Sequence, residues 1–302
     1  MAYDASDPRS ALASAAAAPA SGDDGIAAAE YFEFDREQPT EVTAAGSPSW
    51  HVRAQNVVLV LTRLAAGDSL TRVGQEHEYA VILPDSSAHV EVSRGAERAS
   101  LAGAGLLVVP AGDSAVRAVT DSVVVRLFDI RSADLLGLPL NAQSFAQPHP
   151  RVAPLVPWPA PVDERLRVYP LSEVVAEPGR FGRIFRTSSF MINFLDDHAG
   201  PRDPEKLSPH HHDDFEQISL AVEGSWQHHI RTPWTPKKSQ WVEDEHRTVG
   251  SPSVTIIPPP TVHTSEAKDA GLNRLIDIFS PPREDFSAKP GWVLNAEEYP
   301  TP

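Results

Sequence analysis

The sequence predicts an all-β protein in which one fold is used twice. Three observations carry this expectation. From Trp50 onward short β-branched runs are broken by Gly, Pro, Asp and Ser; prolines crowd the middle of the chain; and the two halves resemble each other. The 302 residues, 41% apolar and 22% charged, suffice for two globular units with cores of their own.

Taken in order, residues 1–45 are expected to be a mobile tail. The run ALASAAAAPASGDDG has too few large side chains to offset the entropy of ordering, and Pro19 and Gly22 would stop any helix in the Ala run. Residues 46–135 form a first unit, with strands expected at 56–64, 79–83, 89–92, 106–109 and 123–130. At 136–165, Pro139, Pro148, Pro150, Pro154, Pro157, Pro159 and Pro161 deny both helix and central strand, as befits a connector. Residues 166–285 form a second unit, with strands at 188–195, 215–222, 225–230, 253–257 and 273–279. The polar segment 286–302 can dock back through Trp292, Val293 and Leu294.

Charge and composition narrow the chemistry. A net charge of −15 repels phosphate backbones and acidic membrane surfaces, so neither nucleic acid nor membrane is expected as a partner. Runs such as Val57 to Leu61 are far shorter than the roughly 18–20 residues of a membrane span. Asp4 and Asp7 stand where a secretory signal needs positive charge, and the expected location is cytoplasmic. With no cysteine, thiol nucleophiles, iron–sulfur clusters and thiolate zinc sites are excluded, so a metal would be held by imidazole and carboxylate. No Gly-x-Gly-x-x-Gly, phosphate loop or Gly-x-Ser-x-Gly occurs, and no nucleotide cofactor is expected.

The halves align at a constant offset of 148: Leu107-Val108-Val109-Pro110 lies over Thr255-Ile256-Ile257-Pro258, and Arg126, Leu127, Asp129 and Ile130 over Arg274, Leu275, Asp277 and Ile278. Glu78 lies over Glu216 at an offset of 138, which leaves ten extra residues in the second half, placed between Arg231 and Gly250. That stretch carries Trp234, Trp241 and His246. It reads either as a lid beside a site or as packing over a rim.

The chemistry concentrates in Pro209-His210-His211-His212-Asp213-Asp214-Phe215-Glu216. On an extended strand His210, His212 and Glu216 share parity, and His211 faces away. Downstream, Pro258-Pro259-Pro260-Thr261-Val262 delivers His263. Three imidazoles and one carboxylate suit one Fe(II), Mn(II), Ni(II) or Zn(II), and occupancy should fall as pH drops below the ordinary imidazole pKa of about 6.5. Around them, Trp226, His228 and Ile230 share one strand face, with Gln227 and His229 on the other, so either set could offer a polar group to a substrate. Arg186 and Asn193 could meet a carboxylate or carbonyl, and Asp213 or Asp214 could accept from a ligand histidine.

His210-x-His212-x3-Glu216, then Gly224, then Pro258-x-Pro260-x-x-His263, resembles the two motifs of the cupin superfamily. The resemblance implies that His210, His212, Glu216 and His263 bind the metal. It also implies that each half is a double-stranded β-helix, or jelly-roll, barrel: a bicupin. Two departures stand out: seven residues separate Glu216 from Gly224 where six is usual, and Pro260 replaces Gly. In the first half Arg72, Gly74, Glu78 and Ala115 occupy the corresponding positions, so that barrel is expected to hold no metal and to serve as scaffold or homodimer surface. The resemblance further implies a mononuclear iron dioxygenase acting on a small aromatic, diketone or carboxylic substrate. The alternatives are an Mn, Ni or Zn isomerase, decarboxylase or hydrolase, and a non-catalytic small-ligand-binding cupin.

Overall fold

Strands such as Val57–Leu64 and Leu272–Phe279 are buried along nearly their whole length, so they need cover on both faces. The computed structural model, which describes Arg9 and residues 25–175, 177 and 179–302, supplies that cover with two barrels packed sheet to sheet. In the first barrel the large sheet runs Arg167–Pro170, Gly105–Val109, Tyr79–Leu83, Ser122–Asp129, Val57–Leu64, Pro48–Arg53, Glu41–Val42. Its small sheet is Ser69–Gln75, Gly112–Ala118, His89–Arg94, Glu97–Ala102. In the second, the large sheet runs Glu30–Glu33, Ser253–Ile257, Gln217–Glu223, Leu272–Phe279, Met191–Phe194, Arg183–Arg186, with His198–Ala199 beside it. The small sheet is Glu245–Val249, Trp226–Arg231, Val262–Ala267.

The outer faces of the two large sheets meet in one apolar core. Leu59, Leu61, Ile82 and Leu127 of the first half pack in a cluster with Ile192, Ile218, Leu220 and Ile278 of the second. The inner faces differ in kind. The first barrel is filled with Val60, Val81, Leu107, Val92 and Phe128, whereas the inner face of the second carries Gln217, Ser219, Thr255 and Asp277. A polar barrel interior costs stability unless its groups find partners.

Each barrel also borrows an edge strand. Glu30–Glu33, from the segment before the first barrel, pairs with Ser253–Ile256 of the second; Arg167–Pro170, from the start of the second unit, pairs with Gly105–Val108 of the first. Two carboxylates, Glu216 buried and Glu78 half-buried, fasten the halves reciprocally. Glu78 accepts from the Ser188 amide (2.7 Å) and hydroxyl (2.6 Å), and Glu216 accepts from the Gln55 amide (2.5 Å).

These contacts correct the expected boundaries. The tail expected to reach residue 45 already contributes a strand at Glu30–Glu33 and another at Glu41–Val42; residues 1–8 and 10–24 lie outside the described residues. The segment EYFE shows no alternation because all four residues are half-buried in the exchange. Residues 136–165 hold one 3-10 turn, at Ala142–Phe145, and no strand, and Trp292 and Val293 dock as expected. No helix among the described residues is long and apolar enough to cross a membrane.

Candidate metal centre

His210 and His263 are held together by the backbone. The His210 amide donates to the His263 carbonyl (3.0 Å), and the His263 amide to the His210 carbonyl (2.7 Å). His212, two residues on, brings its ring within 5.1 Å of both, and one ring nitrogen from each histidine lies within 4.8 Å of the others. All three are buried, and Phe215 stacks on His212 at 4.6 Å. Burial holds His210 and His212 well below the ordinary histidine range and pushes His263 down to about 4, so all three are neutral at pH 7 and able to ligate.

Glu216 is not part of this group. Bends at Asp213 and Asp214 interrupt the extended chain, so the parity linking residue 212 to 216 does not carry through; the strand begins only at Gln217. Glu216 has the parity of Ile218 and Leu220, which face the other barrel, and its carboxylate turns that way to Gln55. Burial pushes its pKa up to about 7.

The residue that faces the histidines is Gln217. Its Oε1 lies 2.9 Å from His212 Nε2 and 3.2 Å from His263 Nε2. The amide orientation is fixed from behind: Nε2 donates to Ser219 Oγ (2.9 Å) and Asp277 Oδ1 (3.1 Å), while Ser219 Oγ donates to the same Asp277 oxygen (2.8 Å). The sequence carried two signals for this. The usual six residues separate Gly224 from Gln217, not from Glu216, and Glu216 has a counterpart, Glu78, in the half without the histidines. The first-barrel counterpart of the Gln217–His263 contact is Tyr79 OH to Ser114 Oγ, 3.0 Å, so Ser114 rather than Ala115 holds the position of His263.

Hydrogen-bond accounting tests whether a metal fits. A neutral imidazole has one proton, yet His263 faces two acceptors, the Thr261 carbonyl at Nδ1 (3.0 Å) and Gln217 Oε1 at Nε2. His210 Nδ1 likewise faces the Ser208 carbonyl, 3.0 Å away. With its Nδ1–H donating to the Thr261 carbonyl, His263 turns its Nε2 lone pair towards the Gln217 oxygen. That arrangement asks for a cation, and the spacings suit one, since bonds of about 2.1 Å place ligand atoms roughly 3–4 Å apart.

The other expected site residues take other roles. Arg186 is buried, stacks on Trp158 at 4.9 Å and donates to the Tyr299 carbonyl, securing the C-terminal segment. Asn193 Nδ2 donates to the Phe181 carbonyl and supports the turn at Gly182. Of the strand 226–231, His228 faces the barrel interior, bonded to Ser265 Oγ (2.9 Å) and pushed down to about 3 by burial. Gln227 and His229 face outward, His229 contacting His246 and Glu266. Trp234 and Trp241 stack on each other at 4.3 Å at the exposed surface and line no part of the cavity at the histidines, so they are not its lid. Asp213 pairs with His211 rather than with a candidate ligand.

A cavity of about 490 Å³ reaches His210, His263, Gln217 and Asp277. Its apolar wall includes Phe181, Leu195, Trp226 and Leu275, and Arg9, Arg180, Arg202 and Lys206 also line it. Burial pushes Asp277 up to about 6.

No family model matches the sequence, and no curated protein does. Solved structures do match. The oxalate decarboxylase–formate complex of Lactobacillus farciminis aligns at 13% identity over 86% of this chain and 88% of its own, with a TM-score of 0.52. A second oxalate decarboxylase structure aligns at 13% identity over 88% and 83%, also at 0.52. AerE from Microcystis aeruginosa aligns at 10% identity over 85% and 99%, at 0.50. Likeness at this identity shows the fold: two cupin-type jelly-roll barrels in tandem.

Proposed function

We propose that this chain is a metal-dependent enzyme whose second barrel holds one divalent ion on His210, His212 and His263, with Gln217 Oε1 as fourth donor. The carrying observation is the convergence of three buried histidines, with one ring nitrogen from each within 4.8 Å of the others and Gln217 Oε1 set against two of them. Three imidazoles and an oxygen suit Fe(II) foremost, with Mn(II), Ni(II) and Zn(II) as alternatives. Fe(II) would supply electron exchange with O2, and the reaction class we favour is a mononuclear iron dioxygenase acting on a small organic molecule.

The chain's own residues prepare the site. Carbonyls of Ser208 and Thr261 fix two rings, and Ser219 with Asp277 fixes the amide. Phe215 shields one face of His212 from water, and the apolar wall of the cavity takes the carbon skeleton of a substrate. One observation favours the Lewis-acid alternative, an isomerase, decarboxylase or hydrolase: Asp277 is a cavity-lining carboxyl whose raised pKa lets it hold or release a proton near neutrality. Oxygen uptake by Fe(II)-loaded protein, screened over phenols, diketones and carboxylates, separates the two. Substrate-dependent O2 consumption supports the dioxygenase; turnover unchanged under anaerobic conditions, with Mn(II) or Zn(II) equally effective, supports the other.

A further inference from the structure

In the first barrel, the positions that surround the histidines of the second hold a different chemistry. Tyr79 and Ser114 stand for Gln217 and His263, and the cross-strand partner of Val81 is Arg126 where that of Ser219 is Asp277. A guanidinium thus replaces a carboxyl on the inner face of the large sheet.

Arg126 is buried to all but 6% of its surface, and it makes no hydrogen bond or ion pair among the described residues. Its guanidinium lies 5.5 Å from the centre of the Phe128 ring, on which Tyr79 stacks at 4.9 Å. No neighbour meets it with a counter-charge. Arg72, 5.0 Å from the same ring, is paired with Asp134 (2.7 Å) and bonded to Gln75 (2.6 Å). Burial, and then the charge of Arg126 itself, pushes His51 down to about 4, so that ring is neutral, and its Nδ1 is engaged with Thr40 Oγ1 (2.7 Å). Burial raises the Tyr79 hydroxyl, which keeps its proton. Glu41 is the acid whose charge reaches Arg126, yet it is exposed, out of ion-pair contact with the guanidinium, and lies 3.8 Å from His51 Nε2.

Burial pushes Arg126 down to about 10, which leaves it charged at pH 7, and a buried charge without a partner is strongly destabilising. Its Nε is fully enclosed with no partner, whereas the Nη groups are not enclosed. These form the fork that binds two oxygens of one anion side by side. We infer that the first barrel binds a small oxyanion on the Arg126 fork, in the region that corresponds to the second barrel's histidine centre. The ligand is an inorganic oxyanion or the carboxylate of a small acid, which share paired anionic oxygens. Val60, Val81, Leu107 and Val92 fill the barrel around Arg126, so only a small anion fits. The inference stands whether or not the second barrel holds a metal.

The test titrates the full chain and its His212→Ala variant with sulfate, phosphate and acetate, separately, by calorimetry at constant ionic strength. His212→Ala disables the histidine centre, so that binding there is told apart from binding in the first barrel. We expect one saturable anion site per chain in His212→Ala, weakened at least ten-fold when Arg126→Met is added. Tightest binding of sulfate or phosphate assigns an inorganic oxyanion, and tightest binding of acetate a small organic acid; both support the inference. If Arg126→Met does not fold, Arg126→Gln, neutral but polar, makes the same comparison. No saturable binding of any of the three anions by His212→Ala overturns the inference; so does undiminished binding once Arg126 is replaced in a folded chain.

Discussion

At the scale of single residues, two neighbours divide the work that one was expected to do. Glu216 and Gln217 sit on opposite faces of the same strand start, and a one-residue difference in register decides which meets the histidines. Alternation put His210 and His212 on one face and the downstream proline run pointed to His263, and the three do cluster. Alternation failed at Glu216 because the bends at Asp213 and Asp214 break the extended chain on which it depends. His211 is partly exposed and pairs with Asp213, so His211→Ala should leave metal content unchanged, measured by elemental analysis.

Glu216 makes a separate prediction through stability. Its pKa rises from 4.5 to about 7 on folding, chiefly by burial. Below about pH 4.5 both folded and unfolded chains hold the proton. Between there and about pH 7 only the folded chain does, so stability from this group falls as pH rises through that window and is lost above it. The shift corresponds to about 3 kcal/mol at 1.36 kcal/mol per unit. Urea unfolding of Glu216→Gln, which keeps an acceptor for the Gln55 amide, should show no such loss. The variant should therefore gain on the wild type between pH 4.5 and 8, and parallel pH profiles would contradict this.

At the scale of elements, the strands most legible in the sequence include those with strong apolar runs, such as Val57–Leu64, Tyr79–Leu83, Gly105–Val109, Ser122–Asp129, Ser253–Ile257 and Leu272–Phe279. Strands such as Ser69–Gln75 and Glu97–Ala102 were not, because each is largely exposed on one face and polar in composition. The exchanged strand Glu30–Glu33 could not be read at all, since its partner lies more than two hundred residues away. Phe34, fully buried in the core between the barrels, anchors that strand. Phe34→Ala should cost about 3–5 kcal/mol in chemical denaturation, as large-to-small core changes do. At Gly224, φ is +80°, and an added Cβ would lie 2.4 Å from Asn273 Oδ1 and 2.8 Å from the Leu272 carbonyl. Gly224→Ala should therefore destabilise by about 2 kcal/mol or more, by strain and clash together.

At the scale of the molecule, the internal repeat gave the two-barrel plan, and the offsets of 138 and 148 coincide with the pairings Val81 to Leu107 and Ser219 to Thr255. The later part of that alignment does not hold. Phe128 is the neighbour of Ala80's strand start where Phe279 meets Gln217, so three residues are gained after Pro258, and Arg126 rather than Asp129 corresponds to Asp277. Polar interior positions carry little periodic signal, so a gap there costs nothing visible in the sequence. The shared core and exchanged strands bind the barrels into one cooperative unit. Calorimetry should show a single unfolding transition for the full chain, and two well-separated transitions would contradict that coupling. The central claim, a centre of three histidines in which Glu216 has no part, is tested most directly by elemental metal analysis. Wild type, His212→Ala and Glu216→Gln should be compared after purification without oxygen or chelator. The account predicts about one divalent ion per chain in wild type and in Glu216→Gln, and none in His212→Ala. Loss of the ion in a folded Glu216→Gln, or its retention in His212→Ala, would contradict it.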